Sequence, residues 1–183
     1  MKNTISRLKG HGIKFEAGLT SEEIIRIEDI YKIIFPVDLR EMLHNALPVG
    51  ERFPNWRDFS EHNTNRILEM LNWPLEGMLF DVEHNEFWFD LWGSKPIEIE
   101  KAKELCIEEY KKVPKLIPIY SHRYISSHPN EEGNPIFSVY QTDIIYYGEN
   151  LDEYFKVEFN DKEHKDINYS KIKKIEFWSD IVG

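Results

Sequence analysis

The sequence predicts an α+β fold, with N-terminal helices packed on a mainly antiparallel β-sheet. Two observations carry that expectation. Apolar residues recur at helical spacing as far as Leu71, and later recur at a spacing of two, with one helical stretch between. The elements also fail to alternate strand–helix–strand, the pattern a parallel sheet would need. A chain of 183 residues, 41% hydrophobic and 14% aromatic, is long enough to bury a core without a disulfide or metal staple.

Residues 1–18 are basic and weakly patterned and are expected to form a flexible arm ahead of a single domain over 19–183. Thr20 and Glu23 form a capping box, and Ile24, Ile27, Ile30, Tyr31 and Ile34 follow as one apolar stripe. Pro36 closes that helix and suits the first turn of the next, which buries Leu39, Met42, Leu43, Ala46 and Leu47. A third, short helix bears Ile67, Leu68 and Leu71, and Trp73-Pro74 is expected to stop it. Phe87, Phe89 and Leu91 then alternate with Trp88, Asp90 and Trp92, which predicts a strand.

A helix returns over about 98–113, where Cys106 falls on the apolar face and reads as a small core residue. Strands are predicted at Leu116–Tyr120, Tyr124–Ile125, Ile136–Gln141, Ile144–Tyr147 and Tyr154–Phe159, separated by turn signals at 130–133 and 148–150. The tail from Lys171 is expected to finish as a helix through Ile175, Trp178 and Ile181.

Composition excludes several functions. A formal net charge of −10 argues against a nucleic-acid or anionic-membrane binder, because neutralising phosphates needs an excess of Lys and Arg. A single cysteine excludes a disulfide framework and multi-cysteine metal sites, and fits a reducing compartment. The first residues carry no apolar leader pattern and no apolar run is long enough to span a bilayer, so a soluble cytoplasmic protein is expected.

No phosphate loop, dinucleotide fingerprint, HExxH or GxSxG is present. Ser121 and His122 are adjacent, and neighbours on a strand point to opposite faces, so they are poorly placed as nucleophile and base. Neither His122/His128 with Asp143 nor Asp81/Glu83/His84/Glu86 has a recognised ligand spacing, and no cofactor is expected.

The charge pattern is more informative. Between Arg66 and Lys95 there is no basic residue but six acids, Glu69, Glu76, Asp81, Glu83, Glu86 and Asp90. Between Arg123 and Lys156 the same holds, with Glu131, Glu132, Asp143, Glu149, Asp152 and Glu153. Both windows are rich in aromatics, among them Trp73, Phe80, Trp88, Trp92, Tyr124 and Tyr140. Most such rings belong to the core, but an acidic face with a few exposed rings is also how a protein grips a basic partner. Asp81, Glu83, Glu86, Trp88, Asp90, Trp92, His122, Arg123, Tyr124 and Asp143 are therefore the candidate partner-binding residues. Arg123 has a competing structural role, an ion pair with Asp90 or Asp143.

With these residues in view, the chain resembles the SMI1/KNR4 family of the SUKH superfamily over about residues 19 to 182. The resemblance rests on the 19–34 helix running into Phe35-Pro36-Val37-Asp38-Leu39-Arg40, then Phe53-Pro54-Asn55-Trp56-Arg57, then Trp73-Pro74-Leu75-Glu76-Gly77 with Asp81. Phe87-Trp88, Leu91-Trp92-Gly93 and the block Leu116 to Tyr124 follow, with Gly133 to Val139, Thr142 to Gly148 and Phe177-Trp178-Ser179 after them. The resemblance implies a non-catalytic α+β domain. Bacterial members are thought to act as immunity proteins that neutralise polymorphic toxins, often nucleases or deaminases, and fungal relatives look like regulatory scaffolds. Applied here, it implies a protein that binds a basic toxin domain encoded nearby; the oligomeric state is not legible in the sequence, and a monomer is favoured. The alternatives are a scaffold without a toxin partner, or a small-molecule enzyme or sensor using a cleft near His122 and Arg123.

Overall fold

The computed structural model describes residues 1–183 as an α+β protein. Its centre is a four-stranded antiparallel meander, β3 (Leu116–Tyr120), β4 (Arg123–Ser126), β5 (Ile136–Tyr140) and β6 (Asp143–Gly148), in the order β3-β4-β5-β6. Two tight turns, at Ser121-His122 and Gln141-Thr142, open at the same end of the meander. In each the first residue has positive φ, 51° at Ser121 and 55° at Gln141, as a two-residue hairpin loop demands.

Both faces of the sheet are covered. Ile117, Ile119, Ile125 and Ile136 join a core with α2 (Ser21–Tyr31), α3 (Val37–Asn45) and α6 (Leu151–Glu158). Leu116, Tyr124, Phe137, Val139 and Ile144 join a second core on the opposite side. Its other members come from α4 (Glu61–His84), α5 (Ile99–Tyr110) and the tail residues Ile175, Phe177 and Trp178. Two buried faces explain why these strands are nearly continuous apolar runs. The Thr20/Glu23 capping box forms as expected, and Cys106 is fully buried.

Five local expectations are corrected. The first 18 residues are not a loose arm. They form α1 (Lys2–Gly10) and β1 (Lys14–Ala17), the latter paired antiparallel with β2 (Ala46–Val49). Leu8 is fully buried in the first core, and Thr4 and Arg7 both bond to Asp152 of α6. The segment 87–92 is not a strand but an irregular loop ending in a 3-10 turn, Asp90–Trp92; its rings pack on one another and on Phe177 of the second core, and its backbone pairs with no strand. Residues 154–158 are helical and Phe159 caps the end: Leu151, Tyr154 and Phe155 bury one face at i, i+3 and i+4, and the Asn150 side chain caps α6 by accepting from Glu153 N. The tail carries two 3-10 turns, Tyr169–Lys171 and Trp178–Asp180, in place of a helix.

The fifth correction positions the site. Pro74 does not stop the third helix; α4 runs through it for 24 residues. A proline has no N–H, so the carbonyl of Met70, four residues back, loses its helical partner. The Tyr124 hydroxyl donates to that carbonyl at 2.8 Å, which satisfies it and ties α4 to β4. One turn on, Gly77 lets the helix touch the β5–β6 turn, where a Cβ would stand 2.6 Å from Gln141 Cα. Asp81 then accepts from Thr142 N at 2.8 Å and from the Thr142 hydroxyl at 2.5 Å. No helix is long and apolar enough to cross a membrane.

Candidate binding cleft

Where α4 passes over the open end of the meander it leaves a cleft of about 570 Å³. Its walls are α4, the Glu51-Arg52 loop and the Ser121-His122 turn, with Tyr124 lining it and Tyr140 at the end of β5. The turn is held in place by Ser121 N, which donates to the Arg52 carbonyl at 2.8 Å.

Because α4 is continuous, Glu69, Trp73, Glu76 and Phe80 fall at successive spacings of four, three and four on one helix face. All four are exposed, Trp73 at 43% and Phe80 at 46%, and Tyr140 beside them is exposed at 61%. Neither glutamate enters an ion pair, although salt bridges tie many other acids of the chain. Two arginines line the cleft on the side of the Glu51-Arg52 loop: the Arg66 guanidinium donates to the Glu51 carbonyl, and Arg52 lies over the Tyr120 ring at 5.8 Å.

The candidate residues separate into four groups. Asp81 is buried and spends its carboxylate on Thr142 and Asn85, so it is a structural clasp rather than a surface charge. Arg123 and Tyr124 are also interior. Arg123 faces away from the cleft; its Nε meets Glu158 at 3.1 Å, its Nη1 donates to Ser138, and its guanidinium stacks 3.7 Å over Tyr147. The expected partners Asp90 and Asp143 are thus replaced by Glu158 of α6, a residue assigned to a strand from its spacing. Tyr124 lines the cleft but its hydroxyl is committed to Met70.

Glu83, Glu86, Trp88, Asp90 and Trp92 lie at and beyond the C-terminal end of α4. Glu83 is held by Lys103 at 2.9 Å, which lowers its pKa. Trp88 and Trp92 are half-buried. The Trp88 indole N–H donates to the Gly93 carbonyl at 2.7 Å, and Trp92 stacks on Phe177 with centroids 5.8 Å apart. These rings pack against the rim of the second core, and the exposed rings at the cleft are Trp73 and Tyr140 instead, with Phe80 exposed further along α4 against His84. His122 and Asp143 are exposed, the former in the cleft and the latter beside the turn that α4 contacts. Partial desolvation of the ring in the cleft, then the neighbouring Arg123, lowers the His122 pKa.

The second acidic window is largely neutralised by the fold. Lys173 reaches Glu131, Lys162 bridges Glu149 and Glu153, and Arg7 and Lys156 hold Asp152. What remains unpaired and exposed in the two windows is Glu69, Glu76, Glu86, Asp90, Glu132 and Asp143. Glu69, Trp73, Glu76 and Tyr140 were visible in the acid and aromatic windows, but their common face appears only once the helix is continued through Pro74.

The Ser121 hydroxyl lies 3.3 Å from His122 Nδ1 within one turn, and no carboxylate is bonded to the other ring nitrogen. No group of three His, Cys, Asp or Glu side chains is placed to hold a metal ion. No family model, curated protein or solved structure matches the chain.

Proposed function

We propose that this protein is an immunity-type binding protein, which occupies the working surface of a basic toxin domain and acts by binding rather than by catalysis. One observation carries the reading: the Glu69–Trp73–Glu76–Phe80 face of α4, with unpaired carboxylates alternating with exposed rings beside Tyr140. A nuclease presents a basic surface to reach phosphates, and an acidic face that docks there excludes substrate. Rings supply desolvated anchors, while carboxylates supply steering and register. The resemblance of the Trp73–Gly77 and Leu116–Tyr124 blocks to the SMI1/KNR4 family supports the same reading, and these two blocks frame the cleft. On this reading the protein works in the cytoplasm as a monomer.

Co-expression with the toxin domain encoded beside it tests the proposal. Growth rescue and co-purification are expected, with both lost or weakened in Trp73→Ala. Truncating a central aromatic anchor of this kind costs about 2 kcal/mol or more. Failure to rescue and to co-purify with the wild-type chain would remove the proposal. Binding to a basic protein with no toxic activity would instead mark a scaffold.

A further inference from the structure

Trp73 is flanked on its own helix face by two unpaired carboxylates, Glu69 one turn before it and Glu76 one turn after. Glu69, Trp73 and Glu76 line the cleft with Tyr140, and Tyr124 closes another part of its wall. An aromatic-lined recess with carboxylates at its edge attracts a cation on two counts, the ring quadrupole and the anionic charge. Two of the chain's own cations, Arg66 and Arg52, also line the cleft, but both point at its Glu51-Arg52 side, Arg66 donating to the Glu51 carbonyl and Arg52 lying 5.8 Å from the Tyr120 ring.

We propose that this cleft is a socket for an arginine of the partner, with the guanidinium lying between Trp73 and Tyr140 and hydrogen-bonded to Glu69 or Glu76. The proposal rests on the reading of the protein as a binder of a basic domain, and names the group that domain inserts. Arginine is favoured over lysine on physical grounds. Its planar guanidinium stacks on aromatic faces, offers two parallel N–H donors to one carboxylate, and gives up hydration more readily than an ammonium. A volume of about 570 Å³ admits the side chain together with the residues that flank it.

The probe is Nα-acetyl-arginine methylamide, titrated at pH 7 and followed by the indole N–H signal of Trp73 in a ¹H–¹⁵N spectrum. The citrulline analogue, equal in shape but uncharged, and the lysine analogue serve as comparisons. A saturable shift of the Trp73 signal is expected with arginine, a weaker one with lysine and none with citrulline. In the double variant Glu69→Gln/Glu76→Gln the dissociation constant should rise about tenfold or more. Both positions are exposed, so the variant should retain the wild-type melting temperature, and a thermal melt verifies this.

Equal shifts with citrulline, no shift with arginine, or a shift unaffected by the double variant would each overturn the proposal. The outcome separates from that of the binding reading. A toxin domain that binds without being displaced by the arginine probe leaves the function standing and removes the socket. A probe that binds at Trp73 while the toxin domain does not keeps the socket and removes the function.

Discussion

Tyr124 shows how much one hydroxyl can organise. Pro74 orphans the Met70 carbonyl inside α4, and the Tyr124 O–H supplies the missing donor at 2.8 Å. Tyr124→Phe should cost about 1–3 kcal/mol, the penalty of an unsatisfied interior carbonyl. The same substitution made in a Pro74→Ala background should cost less, because the alanine N–H restores the helical bond. A double-mutant cycle by urea denaturation checks this, and equal costs in both backgrounds would refute it. Cys106 makes a simpler residue-scale case. Burial pushes its thiol up to about 11, so it should resist alkylation in the native protein at pH 8 and react once the chain is unfolded. The core role of Cys106 was legible from its place on an apolar stripe. The partner of Arg123 was not, because Glu158 comes beside it only when residues 151–158 form a helix.

At the scale of elements, the strands β3 to β6 were legible because buried runs of Ile, Val, Tyr and Phe between tight turns have few alternatives. Element α6 was not, since Tyr154, Phe155, Val157 and Phe159 satisfy a spacing of two as well as a helical stripe. The Asn150 cap, bonded to Glu153 N, decides for the helix. Element α1 was missed because Ile5 and Leu8 are too few to make a pattern, yet its docking is specific. Burial would raise the Asp152 carboxyl, but bonds from Thr4, Arg7 and Lys156 outweigh it and hold it at about 2, against an ordinary 3.8. A carboxyl depressed in the folded state stabilises fully above its unfolded value. That contribution should therefore be lost as pH falls from about 4 through 2. Solvent screening at this partly exposed group limits it to about 1 kcal/mol. Asp152→Asn should flatten the acid limb of stability between those pH values, as chemical denaturation at stepped pH would reveal. Gly77→Ala should separate α4 from the β5–β6 turn, with a loss of about 1–3 kcal/mol by the same denaturation assay.

For the molecule as a whole, a net charge of −10 becomes meaningful only after the fold has sorted it. Several acids are already committed: Asp81 clasps the β5–β6 turn, Glu149 and Glu153 hold Lys162, and Asp152 holds Arg7 of α1. Charge windows along a sequence cannot separate a clasp from a free carboxylate, because the difference depends on which basic residue the fold brings near. Glu51, Glu69 and Glu76 stay free around the cleft, and Glu69 and Glu76, which flank the exposed Trp73, define the proposed docking face. The measurement that bears most directly on this account is the affinity of the chain for the basic toxin domain proposed as its partner, by titration calorimetry at low and high salt. The account predicts a complex that weakens as salt rises and is weakened about thirtyfold or more by Glu69→Gln/Trp73→Ala/Glu76→Gln. A complex of equal strength in the wild type and this triple variant, insensitive to salt, would contradict it.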